Sequence, residues 1–504
     1  MMPQADTPPV MTLGELLGAA APAAHADLGV TDISLDSRRI MPGALFLAVP
    51  GARSHGLQHA AAAASAGAAG VAWEPAAGLG APRLPEGCVA FPVPGLRARL
   101  GEIADRFFGA PSRCLEVVGI TGTNGKTTCA HLVAGALDRT GRRAGLLGTL
   151  GAGPVGALQP SALTTPDVVE VHRTLADLAG LGLRAVAMEV SSHALDQGRV
   201  DGVRYAVAAF TNLSRDHLDY HPSMAAYGAA KARLFLEHAP RVSVINTLDA
   251  FGAELAAQLP ADAHRILLTS DTGPGAAGET RLRLAGVEAL ADGLAVALAG
   301  DFGQAALRSP LLGAFNAENL AIAFGVLLAL GLGPDEAADA LGALRAPAGR
   351  MEAFPDVARN VLAVVDYAHT PDALAKALTA LRRHCRGRLW CVFGCGGDRD
   401  RGKRPEMGRI AEELADEVVI TDDNPRSEDG VAIVTDILGG LQDPGRARVE
   451  RDRAAAIRQA LGAAQSGDVV LVAGKGHEAF QVVGTERRPF SDRALVAELT
   501  GAAA

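Results

Sequence analysis

The sequence predicts an α/β protein of three domains: a small α/β domain, a central P-loop domain on a mostly parallel sheet, and a C-terminal Rossmann-like domain. Three observations carry that prediction. At 504 residues the chain is longer than one core supports. Strand-like apolar runs alternate with helical patterns almost throughout, the pattern of helices packed on parallel sheets. One of those runs, Leu115 to Ile120, feeds directly into a Gly-rich loop.

Taken in order, residues 1–110 hold a short strand (Gly43 to Val49) and an Ala-rich helix (Gln58 to Ala69), and end at the turn-forming Gly109-Ala110-Pro111. Residues 111–346 contain strands near 184–190, 206–211 and 241–246 and a long helical pattern from Asn316 to Leu330. Ala346-Pro347-Ala348-Gly349 reads as a linker. In residues 347–504, strands at 361–366, 388–393, 416–421 and 468–473 alternate with helices, as in a separate doubly wound domain.

Composition narrows the chemistry. A formal net charge of −9 excludes the basic footprint expected of a nucleic-acid binder. Six cysteines without metal-type spacing read as reduced, cytoplasmic thiols. The first ten residues lack a basic segment followed by an apolar one, and apolar runs such as Ala321 to Leu330 are too short to cross a bilayer, so neither a signal peptide nor membrane insertion is expected. Only five lysines occur beside 42 arginines, and Lys126, Lys231, Lys403 and Lys475 all fall in short Gly-rich or charge-dense motifs. Lysine is a compact point charge that can bind phosphate end-on or lose its proton and react, whereas arginine is a permanently charged planar fork. Lys376 alone reads as ordinary helix surface.

The loop Gly122-Thr123-Asn124-Gly125-Lys126-Thr127-Thr128 sits between a strand and a helix (Cys129 to Asp138). Its glycines let backbone N–H groups surround phosphate oxygens, Lys126 can reach the β- and γ-phosphates, and the Thr127 hydroxyl can ligate Mg²⁺. The strict P-loop pattern fails by one place, because Ile120 stands where the first Gly belongs. Glu189 lies at one strand's C-terminal end, and His217 follows another in Phe210-Thr211-Asn212-Leu213-Ser214-Arg215-Asp216-His217. A carboxylate and an imidazole at neighbouring strand ends suit a divalent cation beside the phosphates. Arg199 is a reasonable diphosphate or carboxylate clamp, and Arg426, in Asp423-Asn424-Pro425-Arg426, can grip a carboxylate bidentately.

GITGTNGKTT, TTPD (Thr164 to Asp167), EVSSHAL, FTNLSRDHLDYH, AAKARLF, GAFNAENL, GRME, VDYAHTPDAL, VFGCGGDRDRGKRP, DNPR and AGKGHE occur in this order over residues ~30 to 490. With these motifs the chain resembles the Mur ligases, ATP-dependent enzymes that build the stem peptide of peptidoglycan. The resemblance implies a UDP-binding first domain, a central ATPase domain and a C-terminal domain that brings the amino acid. It implies a carbamylated lysine at Lys231, whose new carboxylate ligates Mg²⁺ with Glu189 and His217.

The same resemblance assigns the UDP-linked substrate to Leu35, Ser37, Arg53, Ser54, Thr164, Thr165, Ser191, Gln197 and Arg199. The first-domain loop departs from its relatives with His55-Gly56 where Asp-Gly is common. ATP falls to the phosphate loop with Asn316, Arg350 and Asp366; His369 is a weaker candidate near the phosphates. Arg399, Asp423, Asn424, Pro425, Arg426, Gly474 and Glu478 form the amino-acid pocket. Within the family the Arg of DNPR accompanies enzymes that add diaminopimelate, which differs from lysine by one carboxylate. The implied substrates are therefore UDP-N-acetylmuramoyl-L-alanyl-D-glutamate, meso-diaminopimelate and ATP with Mg²⁺, handled by a cytoplasmic monomer. Competing readings are a lysine-adding homologue, a folylpolyglutamate synthetase (which lacks support from any pterin-site feature), and a non-catalytic nucleotide-binding scaffold.

Overall fold

The computed structural model describes residues 10–51, 54–273, 275–290 and 292–502. The described chain forms two compact units. One holds the residues up to Lys126 with Leu137–Leu267 and Ala277–Glu279; the other holds Thr127–Ala136, Leu268–Ala276 and the residues from Thr280 onward.

The first unit begins with a four-stranded parallel sheet in the order Asp32–Ser34, Ala44–Ala48, Gly70–Trp73, Val89–Pro92. The predicted Ala-rich helix is shorter than expected: a 3-10 turn over Gly56–His59 precedes an α-helix over Ala60–Ser65. Gly67, at φ 98°, sits where a right-handed helix cannot continue. The amphipathic helix Leu96–Phe107 buries Leu96, Leu100, Ile103 and Phe107 in a core that also takes in Val168 and Val169. Arg173 donates to Asp32 Oδ1 at 2.8 Å and to the Ile33 carbonyl at 3.0 Å.

The same unit carries the phosphate-loop sheet. Val242–Asn246, Val207–Phe210, Glu116–Thr121, Ala185–Glu189 and Ala144–Gly148 lie side by side and parallel, and Gly151–Pro154 adds antiparallel to the last. The strand before the loop is thus flanked by a later strand on either side, the arrangement that opens a ligand crevice at the C-terminal edge. Register puts Glu189 opposite Ile120 and Phe210 opposite Thr121, so three strands end together.

The second unit departs from the largely parallel expectation. Glu279–Leu290, Gly293–Gly300 and Gly303–Ser309 form an antiparallel ribbon. A six-stranded sheet follows, in the order Glu352–Asp356, Val361–Asp366, Val469–Ala473, Leu389–Phe393, Glu417–Ile420, Ala447–Val449, with only the first strand antiparallel. Its four inner strands are largely apolar because both faces are covered. Val364, Cys391, Ile420 and Leu471 face one core, while Val365, Val392, Val419 and Val472 face the other. A hairpin, Phe480–Val483 with Glu486–Pro489, follows the AGKGHE motif. Among the described residues no helix is long and apolar enough to cross a membrane.

Candidate active site

The phosphate loop is shaped by the end of the adjacent strand. Gly122 adopts φ 145°, and a Cβ there would overlap the Thr211 hydroxyl, so only glycine fits. Thr211 Oγ1 donates to the Asn124 carbonyl at 2.6 Å, and Asn212 Oδ1 accepts from Asn124 N at 3.0 Å. Thr123 Oγ1 donates to the Ser214 carbonyl and accepts from Ser214 N at 3.0 Å. The sequence Thr-Asn-Leu-Ser therefore acts as a scaffold for Thr-Asn-Gly-Lys. Lys126 turns back over the loop, donating to the carbonyls of Gly122 (2.9 Å) and Thr123 (2.8 Å), and opens the helix Lys126–Arg139, which starts three residues before the predicted Cys129. Thr127 and Thr128 are buried in its first turn.

Lys231 lies on the helix Met224–Leu236 and is 1% exposed. Its ammonium donates to the Gly122 carbonyl at 2.7 Å and stands 4.4 Å from the centre of the Tyr227 ring. Burial first, and the nearby Lys126 charge second, push the Lys231 amine well below the usual lysine range, against the pull of Asp216. Lys231 and Lys126 thus converge on one loop carbonyl, as two motif lysines brought together by the fold. Beside them His217, at φ 53°, packs edge-on to His193 with centroids 4.9 Å apart; His193 also meets Tyr220 and His221, and His221 meets Tyr227. Burial lowers His217, as do Lys126 and Lys231, while Asp216 raises it.

Glu189 is buried at the end of its strand. Its carboxylate accepts from Thr149 N at 2.8 Å and Thr149 Oγ1 at 3.1 Å, and Thr149 Oγ1 also lies 3.1 Å from Thr164 Oγ1. Thr165 Oγ1 donates to the Glu189 carbonyl at 2.8 Å and accepts from Ser191 N at 3.2 Å. Arg199 donates to the Thr165 carbonyl and, through two nitrogens, to Gln197 Oε1; Gln197 Nε2 in turn donates to Tyr220 Oη. Thr164, Thr165, Ser191, Gln197 and Arg199 therefore form one connected polar edge reaching the Glu189 strand end. Leu35 and Ser37 lie just beyond the first-domain strand Asp32–Ser34, and Ser54 is exposed in its loop. Arg53 falls outside the described residues. Among the described residues no three or more His, Cys, Asp or Glu side chains are grouped to hold a metal ion.

In the second unit Asp366 accepts from Met351 N (2.7 Å) and Ala368 N (2.8 Å). Burial raises its carboxyl, with Arg350 pulling the other way. The Arg350 guanidinium stacks 4.4 Å from the Tyr367 ring centre, and Tyr367 also touches His369 and His477. Asn316 is buried, with its amide engaged on both sides: it donates to the Leu312 carbonyl and accepts from Asn319 Nδ2, each at 2.8 Å.

The residues predicted for the amino acid gather on the loops that follow strands Leu389–Phe393, Glu417–Ile420 and Val469–Ala473. Arg426, at φ 53°, donates through Nη1 to the Gly397 carbonyl at 2.7 Å, and its backbone pairs with the hairpin at Val482 and Gly484. Asn424 Nδ2 donates to Glu478 Oε2 at 2.9 Å. Gly474, at φ 115°, leaves room for the Asp423 carboxylate, which a Cβ would approach to 2.5 Å. Arg399 is exposed and donates weakly to the Asp398 carbonyl at 3.4 Å. Burial raises Asp423, opposed by Arg453 and Lys475.

Sequence reasoning missed Thr149, Tyr227, Tyr220 and His193. Tyrosine scarcity was an available signal for two of these, since the chain has four tyrosines and Tyr220, Tyr227 and Tyr367 all line these sites. Of the lysines, Lys376 pairs with Asp372 on an exposed helix face, as expected, while Lys403 donates to the His369 carbonyl.

Comparisons with known proteins agree with this layout. Three family models match consecutive stretches: Mur ligase family, catalytic domain (residues 29–108), Mur ligase middle domain (120–327) and Mur ligase, glutamate ligase domain (349–476). The chain is 50% identical over 491 residues to a UDP-N-acetylmuramoyl-L-alanyl-D-glutamate–2,6-diaminopimelate ligase of Xanthomonas campestris, covering 97% of each chain. It is 50% identical to a ligase of the same description from Pseudomonas aeruginosa, covering 96% of each. A solved structure of an enzyme so described superposes with a TM-score of 0.71 at 36% identity, over 98% of this chain and 99% of that one. With all three domains matched and half the residues shared along nearly its whole length, the chain belongs to the Mur ligase family.

Proposed function

We propose that this chain is the ATP-dependent ligase that joins meso-2,6-diaminopimelate to the D-Glu side-chain carboxylate of UDP-N-acetylmuramoyl-L-alanyl-D-glutamate, releasing ADP and phosphate during peptidoglycan synthesis. The observation that carries the amino-acid choice is Arg426, held by Gly397 and the hairpin at the end of a strand, in a chain half identical to ligases described by that reaction. A guanidinium fixed there complements the carboxylate that diaminopimelate has and lysine lacks. Glu478 complements the distal ammonium.

A carboxylate cannot acylate an amine directly, because its leaving group would be oxide. Phosphoryl transfer from ATP first converts the D-Glu carboxylate to an acyl phosphate; the amine of diaminopimelate then attacks the acyl carbon, and the tetrahedral intermediate collapses to amide and phosphate. The first step brings two anions together, so the work of the chain is positioning and charge neutralisation. Lys126 leaves its loop carbonyls for the phosphates. Thr164, Thr165, Ser191, Gln197 and Arg199, with Leu35, Ser37, Arg53 and Ser54, hold the UDP-linked peptide. Asn316, Arg350 and Asp366 serve the nucleotide.

Mg²⁺ belongs to this reading: Thr127 and Glu189 would hold one ion, and Glu189, His217 and a carbamylated Lys231 would hold a second. The hydroxyl of Thr127 and the carboxylate of Glu189 are oxygen donors that suit a hard cation, and the carbamate would add another. Lys231 supports the carbamate, because burial and the Lys126 charge shift this amine toward the neutral form that adds CO₂. When bound, Mg²⁺ spreads and neutralises the charge on the phosphate oxygens. We take the domains as 1–110, 111–346 and 347–504, and read the enzyme as a cytoplasmic monomer. ADP release is the test: with ATP, Mg²⁺ and the UDP-linked dipeptide, it should require diaminopimelate. Nucleotide binding without amino-acid-dependent turnover would instead mark a non-catalytic scaffold.

A further inference from the structure

Lys475 is 0% exposed, yet it touches no group that the proposed reaction transforms. Its ammonium donates to Asn424 Oδ1 at 3.1 Å and to Glu478 Oε2 at 2.9 Å. Asn424 Oδ1 also accepts from Val482 N at 2.9 Å. With two donors on that oxygen, the amide can point only its Nδ2 toward Glu478, to which it donates at 2.9 Å. One buried cation thus fixes the orientation of an amide, the position of a carboxylate and, through Val482, the hairpin strand that pairs with Arg426.

We propose that Lys475 is a positioning residue that sets selectivity for the distal ammonium of the amino acid, by pairing with Glu478 and holding Asn424 in a single orientation. The inference rests on the diaminopimelate reading above. Its physical basis is local charge. Glu478 shares its surroundings with the buried Asp423, the Arg453–Asp492 pair, Tyr367 and His477. Burial raises the Glu478 carboxyl, and Lys475 followed by Asn424 more than offsets this, leaving it lowered overall. Without Lys475, Glu478 keeps the burial that raises it and loses the first of the groups that lower it, so it takes up a proton more readily. A protonated Glu478 no longer attracts an ammonium. Arginine cannot replace Lys475, because a longer planar fork does not fit where no side-chain surface is exposed.

The test compares meso-diaminopimelate with 2-aminopimelate, which keeps the distal carboxylate but lacks the distal amine. Wild type should prefer diaminopimelate in kcat/KM by about a hundredfold or more. In Lys475→Met that preference should shrink by about tenfold or more, with KM for ATP and for the UDP-linked dipeptide within about twofold of wild type. The KM for diaminopimelate should also rise more steeply in the variant than in wild type as pH is lowered. Lys475→Gln, which keeps a donor for Asn424 but no charge, should lose the same preference; it serves as the readout should the Met variant not fold. A purely structural role would weaken both amino acids equally, so an unchanged preference in either folded variant overturns the inference. If wild type itself shows no diaminopimelate-dependent ADP release, the functional reading fails and this one with it.

Discussion

At the scale of single residues, the account turns on where an amine does what a guanidinium cannot. Lys126 and Lys231 share the Gly122 carbonyl, and Lys475 contacts Asn424 and Glu478; Lys231 and Lys475 are almost wholly buried. Lys231→Ala should abolish turnover that added bicarbonate does not restore, with partial recovery from short carboxylic acids that can fill the vacated volume. Unchanged steady-state turnover in that variant would remove the carbamate from the scheme. Arg426→Gln leaves the distal carboxylate of the amino acid unpaired, at a cost of about 2 kcal/mol or more, which corresponds to a rise of roughly thirtyfold in KM for diaminopimelate. A KM within a factor of two of wild type would show that Arg426 serves only the loop and hairpin. The residues that sequence alone missed at this scale, Thr149, His193, Tyr220 and Tyr227, make their contacts only after distant strand ends are brought side by side. No spacing along the chain announces them.

At the scale of elements, strand ends were the legible feature. The apolar runs before the phosphate loop, Glu189, Thr211 and Asp423 all formed strands within a residue or two of the expected bounds, because strands buried on both faces leave unbroken apolar stretches. The ribbon of Glu279 to Ser309 was not anticipated. Its first strand is half exposed and carries Arg, Glu and Ala rather than an apolar run, so its pairing is set by its neighbours. Elements are also tied by polar groups that sequence does not pair. Arg453, at the start of the helix Arg453–Ala463, makes a two-bond contact with Asp492, at the start of Asp492–Thr500, and both are buried. Arg453→Met strands a buried carboxylate and should cost about 3–5 kcal/mol in urea denaturation, whereas adding Asp492→Leu should recover much of that loss. Equal stability of the single variant and wild type would show that Asp492 finds another partner.

At the scale of the whole molecule, function was legible because its parts are short motifs in a fixed order, each with its own chemistry. Substrate contact in the first domain was less so, since Leu35, Ser37 and Ser54 occupy loops and a short 3-10 turn whose polar partners are not dictated locally. Stability carries a further consequence. His131, in the helix that follows the phosphate loop, is held down to about 4, by burial first and by Arg350 second. Its unfolded value is about 6.5, so the unfolded chain binds the extra proton as pH falls through that window. The stability this imidazole confers is complete above about pH 6.5 and lost progressively toward pH 4. The advantage of wild type over His131→Gln in denaturation midpoint should therefore shrink from pH 7 to pH 4.5. A constant difference would mean the imidazole is hydrated in the folded protein.

The measurement that bears most directly on the central claim is a competition. Purified protein is given ATP, Mg²⁺ and UDP-N-acetylmuramoyl-L-alanyl-D-glutamate with equal concentrations of meso-diaminopimelate and L-lysine, and the products are separated by mass. The account predicts that the diaminopimelate adduct dominates, with ADP formed in equal amount. A predominant lysine adduct, or ADP formed without either adduct, would contradict it.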